Sequence, residues 1–318
     1  MKHTTVFAAI GLALAVALPY TPAQAQLQHT FVSSKGSDSN NCTLATPCRH
    51  LQTALAATLP GGEIAILDSA GYNNATTVII NKAISIVAPL GIEAEIALPA
   101  DGNGFEINVG PNDAVSLRGL TIDGAGAGLN GILFTSGGSL TIDNCVIRHV
   151  ANDGLEFLPN SASRLFVSRS VISDNNGSGI IIQPFNTSSS VSAEIDRVTT
   201  NGNGIDGIFV GGHTSTGSVQ ASVSNSVSAG NGADGYDPYS QPGQATAIMT
   251  VFHSVASTNA YGLASNGSGA TLRVAQSVVS GNGVGWTTDG VGLLVSYGDN
   301  YIDDNLSGNT APTTTARK

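Results

Sequence analysis

Three aspartates are the residues of this sequence whose spacing best suits chemistry. Asp206 and Asp234 each directly precede a glycine, 28 positions apart, and Asp237 follows Asp234 by three positions. In a chain that repeats with this period the three carboxylates converge, and they either bind Ca²⁺ or raise the pKa of one member for acid–base catalysis. We therefore expect a catalytic centre or a calcium site here, with His213 as a candidate base. Asp-Gly is also a favoured turn sequence, which leaves a purely structural role open.

Side chains that suit a sugar ligand stand at related positions. Glu156, Phe209 and Asp237 each lie two positions after a glycine, at the start of a short apolar strand. An alternating strand turns these positions outward, and aromatic rings there stack on the C–H faces of sugars. We expect substrate contacts from Glu156, Phe209, Tyr239, Tyr261 and Trp286. Core filling or loop packing is the alternative role of each aromatic residue.

A repeat of 23 to 28 residues positions these side chains. Its seven copies begin with an alternating segment, and a glycine with a second apolar strand follows each of them. The third residues of the copies are Ile142, Val167, Ile195, Val223, Val251, Val274 and Tyr297. A period of this length with three short strands is typical of one coil of a three-faced solenoid, whose coils must stack to bury their apolar side. Leucine-rich repeats are excluded because their leucine spacing and any helical period are missing.

Two turn positions repeat with the coil and predict ladders of stacked side chains. The inward corner of one turn collects Cys145, Ser170, Val198, Ser226, Ser254, Ser277 and Asn300. A second turn collects Asn175, Asn203, Asn231, Asn259, Asn282 and Asn305. Stacked amides hydrogen-bond to one another and to turn backbone, so the asparagines predict a buried ladder.

The start of the chain resembles a known family. Residues 46–59 predict a helix that covers the first coil, with Thr46 as its cap and Leu51, Leu55 and Leu59 on one face. The segment Asn-Asn-Cys-Thr-Leu-Ala-Thr-Pro-Cys-Arg-His-Leu-Gln-Thr-Ala-Leu from position 40, followed by Gly-Gly-Glu-Ile from position 61, resembles secreted bacterial right-handed β-helix repeat proteins. These share their fold with the pectate lyase superfamily. The resemblance implies an all-β, right-handed parallel β-helix with a short N-terminal capping helix.

Signatures of individual enzyme types are weak or missing. The superfamily includes lyases, hydrolases, epimerases and non-catalytic adhesins, so the fold alone does not choose an activity. The run Asp-Gly-Tyr-Asp-Pro-Tyr from position 234 resembles the Asp-Pro-His-Asp signature of alginate C5-epimerases, except that Tyr239 replaces the histidine. Signatures of the polygalacturonase type are missing. Basic residues fall on another face, where Arg169 and Arg197 stack one coil apart.

Composition and termini set the remaining expectations. A positive start, an apolar run and an Ala-x-Ala site predict a signal peptide over 1–25, a cap segment over 26–60, a β-helix over 61–308 and a disordered tail over 309–318. Export favours a disulfide between Cys42 and Cys48, while Cys145 is expected to be buried. A net charge of −10 with 12 Lys and Arg argues against nucleic-acid binding. No transmembrane segment is expected, and we expect a monomer, secreted or periplasmic.

Two classes of function remain open on this evidence. The first is a secreted protein that binds or modifies a polysaccharide through the groove face of the helix. The second is a non-catalytic structural or adhesive β-helix of the cell envelope. The acidic set favours the first, and calcium is the cofactor that it predicts.

Overall fold

The computed structural model describes residues 26–315 and contains three parallel β-sheets with one short helix. Sheet A has twelve strands: Leu27–Val32, Thr58–Ile66, Ile84–Val87, Ala114–Arg118, Ser139–Asp143, Ser163–Ser168, Ser190–Asp196, Ser218–Ser224, Thr246–Phe252, Ala270–Ala275, Leu293–Ser296 and Thr313–Thr314. Sheet B has ten: Ala70–Gly71, Ala94–Ala97, Leu120–Ala127, Val146–Val150, Val171–Ser173, Thr199–Asn201, Val227–Ala229, Val255–Ser257, Val278–Ser280 and Tyr301–Ile302. Sheet C has nine: Val78–Ile80, Phe105–Asn108, Ile132–Ser136, Leu155–Phe157, Ile180–Ile182, Ile208–Gly211, Asp234–Tyr239, Tyr261–Ser265 and Val284–Thr288. The expected signal peptide lies outside the described residues.

Nine complete coils each contribute one strand to each sheet, in the order A, B, C, and the remaining strands extend sheets A and B at the ends. The register follows the repeat, since Ile142 lies beside Val167 and Val167 beside Ile195. Inward-facing residues of all three sheets form one buried apolar cluster. Within it the rings of Phe134 and Phe157, on neighbouring coils, stack with centroids 4.5 Å apart. The predicted three-faced parallel β-helix is confirmed.

The two predicted ladders run along the axis of the β-helix. In the turn from sheet B to sheet C, the amide of Asn203 donates to Oδ1 of Asn231, and Asn231 donates in turn to Oδ1 of Asn259. In the turn from sheet A to sheet B, the backbone N–H of Ser226 donates to the Ser254 hydroxyl. The backbone N–H and C=O groups of these turns are buried between stacked coils and therefore need hydrogen-bond partners. The two ladders supply some of them.

The N-terminal cap differs from the prediction in its extent. The helix begins at Leu51 rather than near Pro47, and it ends at Ala57. Thr46 instead closes a turn through its hydroxyl contact with Thr43, so it does not cap the helix. The disulfide between Cys42 and Cys48 is present and buried, which fixes this turn against the first strand of sheet A.

In the last coil the observed strand register differs from the predicted register by one residue. Ser296, and not Tyr297, pairs with Val274, while Asn300 keeps its ladder position and accepts a bond from the Ser277 N–H. The turn therefore holds one more residue than in earlier coils, and Gly298 in the left-handed region (φ +80°) accommodates it. In the segment expected to be disordered, Thr313–Thr314 forms a two-residue strand on sheet A.

Across residues 26–315 no helix has the length and apolar character needed to cross a bilayer.

Candidate functional site

The position before each glycine of sheet C forms a polar column that holds the candidate aspartates. Its members on successive coils are Asn103, Asn130, Asp153, Ser178, Asp206 and Asp234, followed by Tyr261. Each backbone N–H donates to the side-chain oxygen of the residue one coil earlier: Ser178 to Asp153 at 2.6 Å, Asp206 to Ser178 at 3.2 Å, and Asp234 to Asp206 at 3.0 Å. The turn backbone on each of these coils needs an acceptor, and a carboxylate, amide or hydroxyl oxygen of the previous coil supplies it.

The column stops at Asp234. The next residue, Tyr261, directs its N–H to the Ala233 carbonyl instead. As a result Oδ1 of Asp234 is buried with no hydrogen-bond partner among the described residues. Burial and the nearby Asp206 carboxylate raise the pKa of Asp234 to about 7. This carboxyl therefore changes its protonation state near neutral pH.

Asp237 lies on the same strand, in the outward column that also contains Phe209 and Ala264. Its side chain is only 6% exposed, and the Asn266 amide donates to its Oδ1 at 3.2 Å. Burial, followed by the charges of Asp234 and Asp206, raises the pKa of Asp237 to about 8. Burial also raises the pKa of Asp206. The structure thus brings the three predicted aspartates together, and Asp237 carries a proton at pH 7.

Three rings form an aromatic cluster beside the acids: Phe209, His213 and Tyr239. The Phe209 and Tyr239 rings are stacked at 6.3 Å, and His213 meets the edge of Tyr239 at 5.0 Å. Gly211 makes this packing possible, since a Cβ there would lie 2.7 Å from Cε1 of Phe209. Burial lowers the pKa of His213, and its Nδ1 lacks a hydrogen-bond partner within residues 26–315. His213 is therefore a neutral imidazole at pH 7.

Of the other predicted contact residues, Glu156 lies far from the three aspartates along the stack, whereas Tyr261 is a neighbour of Asp234. Glu156 belongs to the outward column of Asp237 but three coils away, about 14 Å at the usual strand spacing. It accepts a hydrogen bond from the Asn130 amide, and burial raises its pKa, with Asp153 adding to the effect. Tyr261 is exposed and lies beside Asp234. Trp286 packs partly against the core and donates its indole N–H to the Thr310 carbonyl, so the C-terminal segment covers part of it.

The calcium ion expected from the sequence needs several oxygen ligands that lie close together. Within the described part of the chain, no group of three or more His, Cys, Asp or Glu side chains is arranged to hold a metal ion. Calcium binding gains no support from the geometry and stays a prediction.

Two features near the site were missed in the sequence. Asn266 reaches Asp237 from a loop whose length does not follow the repeat, so periodicity gives no signal for it. A cavity of about 240 Å³ lies in the loops that follow sheet C and is lined by Asn186, Thr187, Ser188, Thr214, Ser215, Thr216 and Gln244. A larger cavity, about 590 Å³, lies on the outer face of sheet A around Arg164 and Phe166, away from the three aspartates.

The charged face predicted around Arg169 and Arg197 is an exposed set of ion pairs. Asp143 lies between Arg118 and Arg169, with nitrogen–oxygen distances of 3.1 and 2.5 Å, and Arg197 pairs with Asp196 at 2.7 Å. The arginine side chains are half-exposed or more, so these pairs contribute little to stability. They balance the like charges that stacking places one coil apart.

Comparisons with known proteins agree with this architecture. A pectate lyase, Pel9A, superposes with a TM-score of 0.66 at 18% identity, covering 92% of this chain and 79% of its own. XylC, solved in complex with xylose, superposes with a TM-score of 0.53 at 8% identity, covering 86% of this chain and 67% of its own. At these identities the likeness concerns the fold. No curated protein sequence matches the chain. The profile of the family described as the right-handed beta helix region matches residues 104–307, and the chain belongs to that family.

Proposed function

We propose that this protein binds a polysaccharide on the outer face of sheet C and modifies it by acid–base chemistry at Asp237 and Asp234. One observation supports the proposal: two buried carboxyls lie beside the aromatic cluster of Phe209, His213 and Tyr239. The pKa of Asp237 is raised to about 8 and that of Asp234 to about 7. Two neighbouring carboxyls that titrate near neutral pH allow one site to supply both an acid and a base.

Each element of the site has a chemical part in this proposal. Phe209 and Tyr239 offer ring faces on which a sugar stacks while it is held over the strand. Asp237 is protonated at pH 7 and donates its proton to the glycosidic oxygen as the bond to the anomeric carbon breaks. Asp234, about half ionised at that pH, or the neutral imidazole of His213 takes a proton from the water molecule whose oxygen bonds to the anomeric carbon. Hydrolysis of the glycosidic bond is the outcome of these proton transfers, whereas elimination or epimerisation would need a uronate, whose carboxyl group acidifies the C5–H bond.

Two assays on purified protein test the proposal. The first is a glycan-array screen, with and without Ca²⁺, of wild type and of Phe209→Ala. The second follows hits in solution for new reducing ends, unsaturated products or altered sugar configuration, with Asp237→Asn as the inactive variant. We expect Phe209→Ala to lose binding and Asp237→Asn to lose turnover while still binding.

The matched control is Tyr301→Ala, which removes an exposed ring from sheet B and should leave binding unchanged. A wild-type protein that binds no glycan would refute the proposal and favour a structural or adhesive β-helix. Binding without any product, at every pH from 5 to 9, would refute the catalytic half alone.

A further inference from the structure

The loops that connect sheet C to sheet A form a small pocket beside the aromatic cluster. Three successive loops, residues 183–189, 212–217 and 240–245, stack through backbone hydrogen bonds. Asn186 N–H donates to the Thr214 carbonyl at 2.9 Å, Thr216 N–H to the Thr187 carbonyl at 3.0 Å, and Ala245 N–H to the Ser215 carbonyl at 2.8 Å. These bonds make the loops a layered wall, so the cavity of about 240 Å³ between them has a defined shape.

The lining of this loop pocket is polar and uncharged throughout. All seven residues that line it are serine, threonine, asparagine or glutamine. Hydroxyls and amides offer both donors and acceptors, which matches a ligand covered with hydroxyl groups. The volume is below the roughly 300–1,000 Å³ of sites for drug-sized ligands. It corresponds to about eight waters at ~30 Å³ each, which suits one sugar ring rather than a longer segment.

Ser215 gives the loop pocket an unused hydrogen-bonding group. This residue lines the cavity and is only 3% exposed. Its Oγ is buried and finds no partner among residues 26–315. A buried hydroxyl without a partner costs stability, so a ligand hydroxyl that reaches the Oγ when the loop shifts would complete the missing bond.

The lining of the loop pocket offers no charge partner to an anionic sugar. The three loops carry no Lys or Arg, and the sequence has none between Arg197 and Arg273. Arg164, the partner of Ser192 on the neighbouring coil, lines the larger cavity on sheet A instead. A uronate or sulfated sugar would thus find no cation on the lining of the loop pocket, whereas a neutral sugar meets hydroxyls and amides.

We propose that the loop pocket is a subsite for an uncharged, hydroxyl-rich sugar unit, so that the substrate class is a neutral polysaccharide. This inference rests on the proposed function, because it assigns the next unit of the chain that lies over Phe209 and Tyr239. We expect at least one neutral hexasaccharide of xylose, glucose or mannose to bind to the protein, and hexasaccharides of galacturonate and mannuronate not to bind.

The test is isothermal titration of these five hexasaccharides into wild type and two pocket variants. Ser215→Ala removes the unused hydroxyl; we expect at least one neutral ligand to bind five- to tenfold more weakly, while the melting temperature stays equal or rises. Thr216→Trp fills the pocket from its exposed rim and should weaken the same ligand at least tenfold. Ser222→Ala removes an exposed hydroxyl from sheet A and is the control, with no expected change.

The outcomes separate this inference from the function on which it rests. Preferential binding of a uronate hexasaccharide overturns the neutral class but leaves polysaccharide binding standing. Neutral binding that neither Ser215→Ala nor Thr216→Trp weakens overturns the pocket assignment. A wild-type protein that binds none of the five, and no glycan on an array, overturns the proposed function itself.

Discussion

Replacing Asp237 by asparagine should stabilise this protein at alkaline pH and leave its stability unchanged in acid. The pKa of the native carboxyl is raised to about 8, whereas the unfolded chain releases the proton near the ordinary aspartate pKa of 3.8. Between these two values the native state binds more protons than the unfolded state, so stability falls as the pH rises. Below pH 4 both states are protonated, and above about pH 8 the loss is complete. Asparagine imitates the protonated form and avoids the loss.

The magnitude follows from the pKa of Asp237. At 1.36 kcal/mol per pKa unit, a rise from 3.8 to about 8 corresponds to about 6 kcal/mol. This is a ceiling, because local opening that hydrates the carboxylate relieves part of the cost. A gain of even ~3 kcal/mol would raise the melting temperature by roughly 6–12 °C, taking about 2–4 °C per kcal/mol. The Asn266 amide keeps its acceptor, since asparagine retains a carbonyl oxygen at the same place.

Thermal melts followed by circular dichroism at half-unit steps from pH 3 to 9 provide the assay. The melting temperature of Asp237→Asn should equal that of wild type near pH 3 and exceed it increasingly toward pH 9. Asp289→Asn supplies a control of opposite sign. Backbone N–H groups of Gly292, Val291 and Gly267 lower the pKa of Asp289, so its removal should cost stability at neutral pH. An Asp237→Asn protein that melts below wild type at pH 9 would refute the reasoning.

Three further predictions concern the scaffold. Thiol titration should find no reactive thiol in the native protein, because Cys145 is buried, which raises its pKa to about 11, and the other two cysteines form a disulfide. After denaturation without a reducing agent it should find one thiol, that of Cys145. Asn231→Ala should lower the free energy of unfolding, measured by chemical denaturation, by about 3–5 kcal/mol, because it leaves buried ladder groups on both neighbouring coils without hydrogen-bond partners. The control Asn176→Ala, at an exposed position, should change that free energy by under ~0.5 kcal/mol. Gly211→Ala should push the Phe209 ring aside and weaken glycan binding while the melting temperature changes little, which paired titrations and melts would show.

The repeat made most of the fold predictable from sequence. Stacked coils force equivalent residues into register, so a period and an alternating pattern suffice to place Ile142 beside Val167 or Asn203 beside Asn231. The prediction was wrong where the period changed. In the last coil an extra turn residue moved Tyr297 out of register, and at the cap the helix began four residues after Pro47. Local propensity at Thr46 and Pro47 was overridden by the turn that the disulfide closes.

The candidate site was predictable only in part, for a physical reason. Asp206, Asp234 and Asp237 follow the repeat, so their convergence could be read from spacing. Their protonation could not, because it depends on burial by loops whose length and sequence do not repeat. The loop that carries Asn266 and the loops that form the pocket around Ser215 are of this kind. The sequence repeat thus predicts which face of the β-helix holds the aspartates. The protonation of these side chains depends on loops that do not follow the repeat.

The central claim, that Asp237 is a protonated acid on the sugar-binding face at neutral pH, can be measured directly. The side-chain carboxyl carbons of ¹³C-labelled aspartate report each group's titration by NMR between pH 3 and 9. We predict one aspartate that titrates near pH 8 and is lost in Asp237→Asn, and a second near pH 7 that is lost in Asp234→Asn. A folded wild-type protein in which every aspartate titrates below pH 5 would contradict the account.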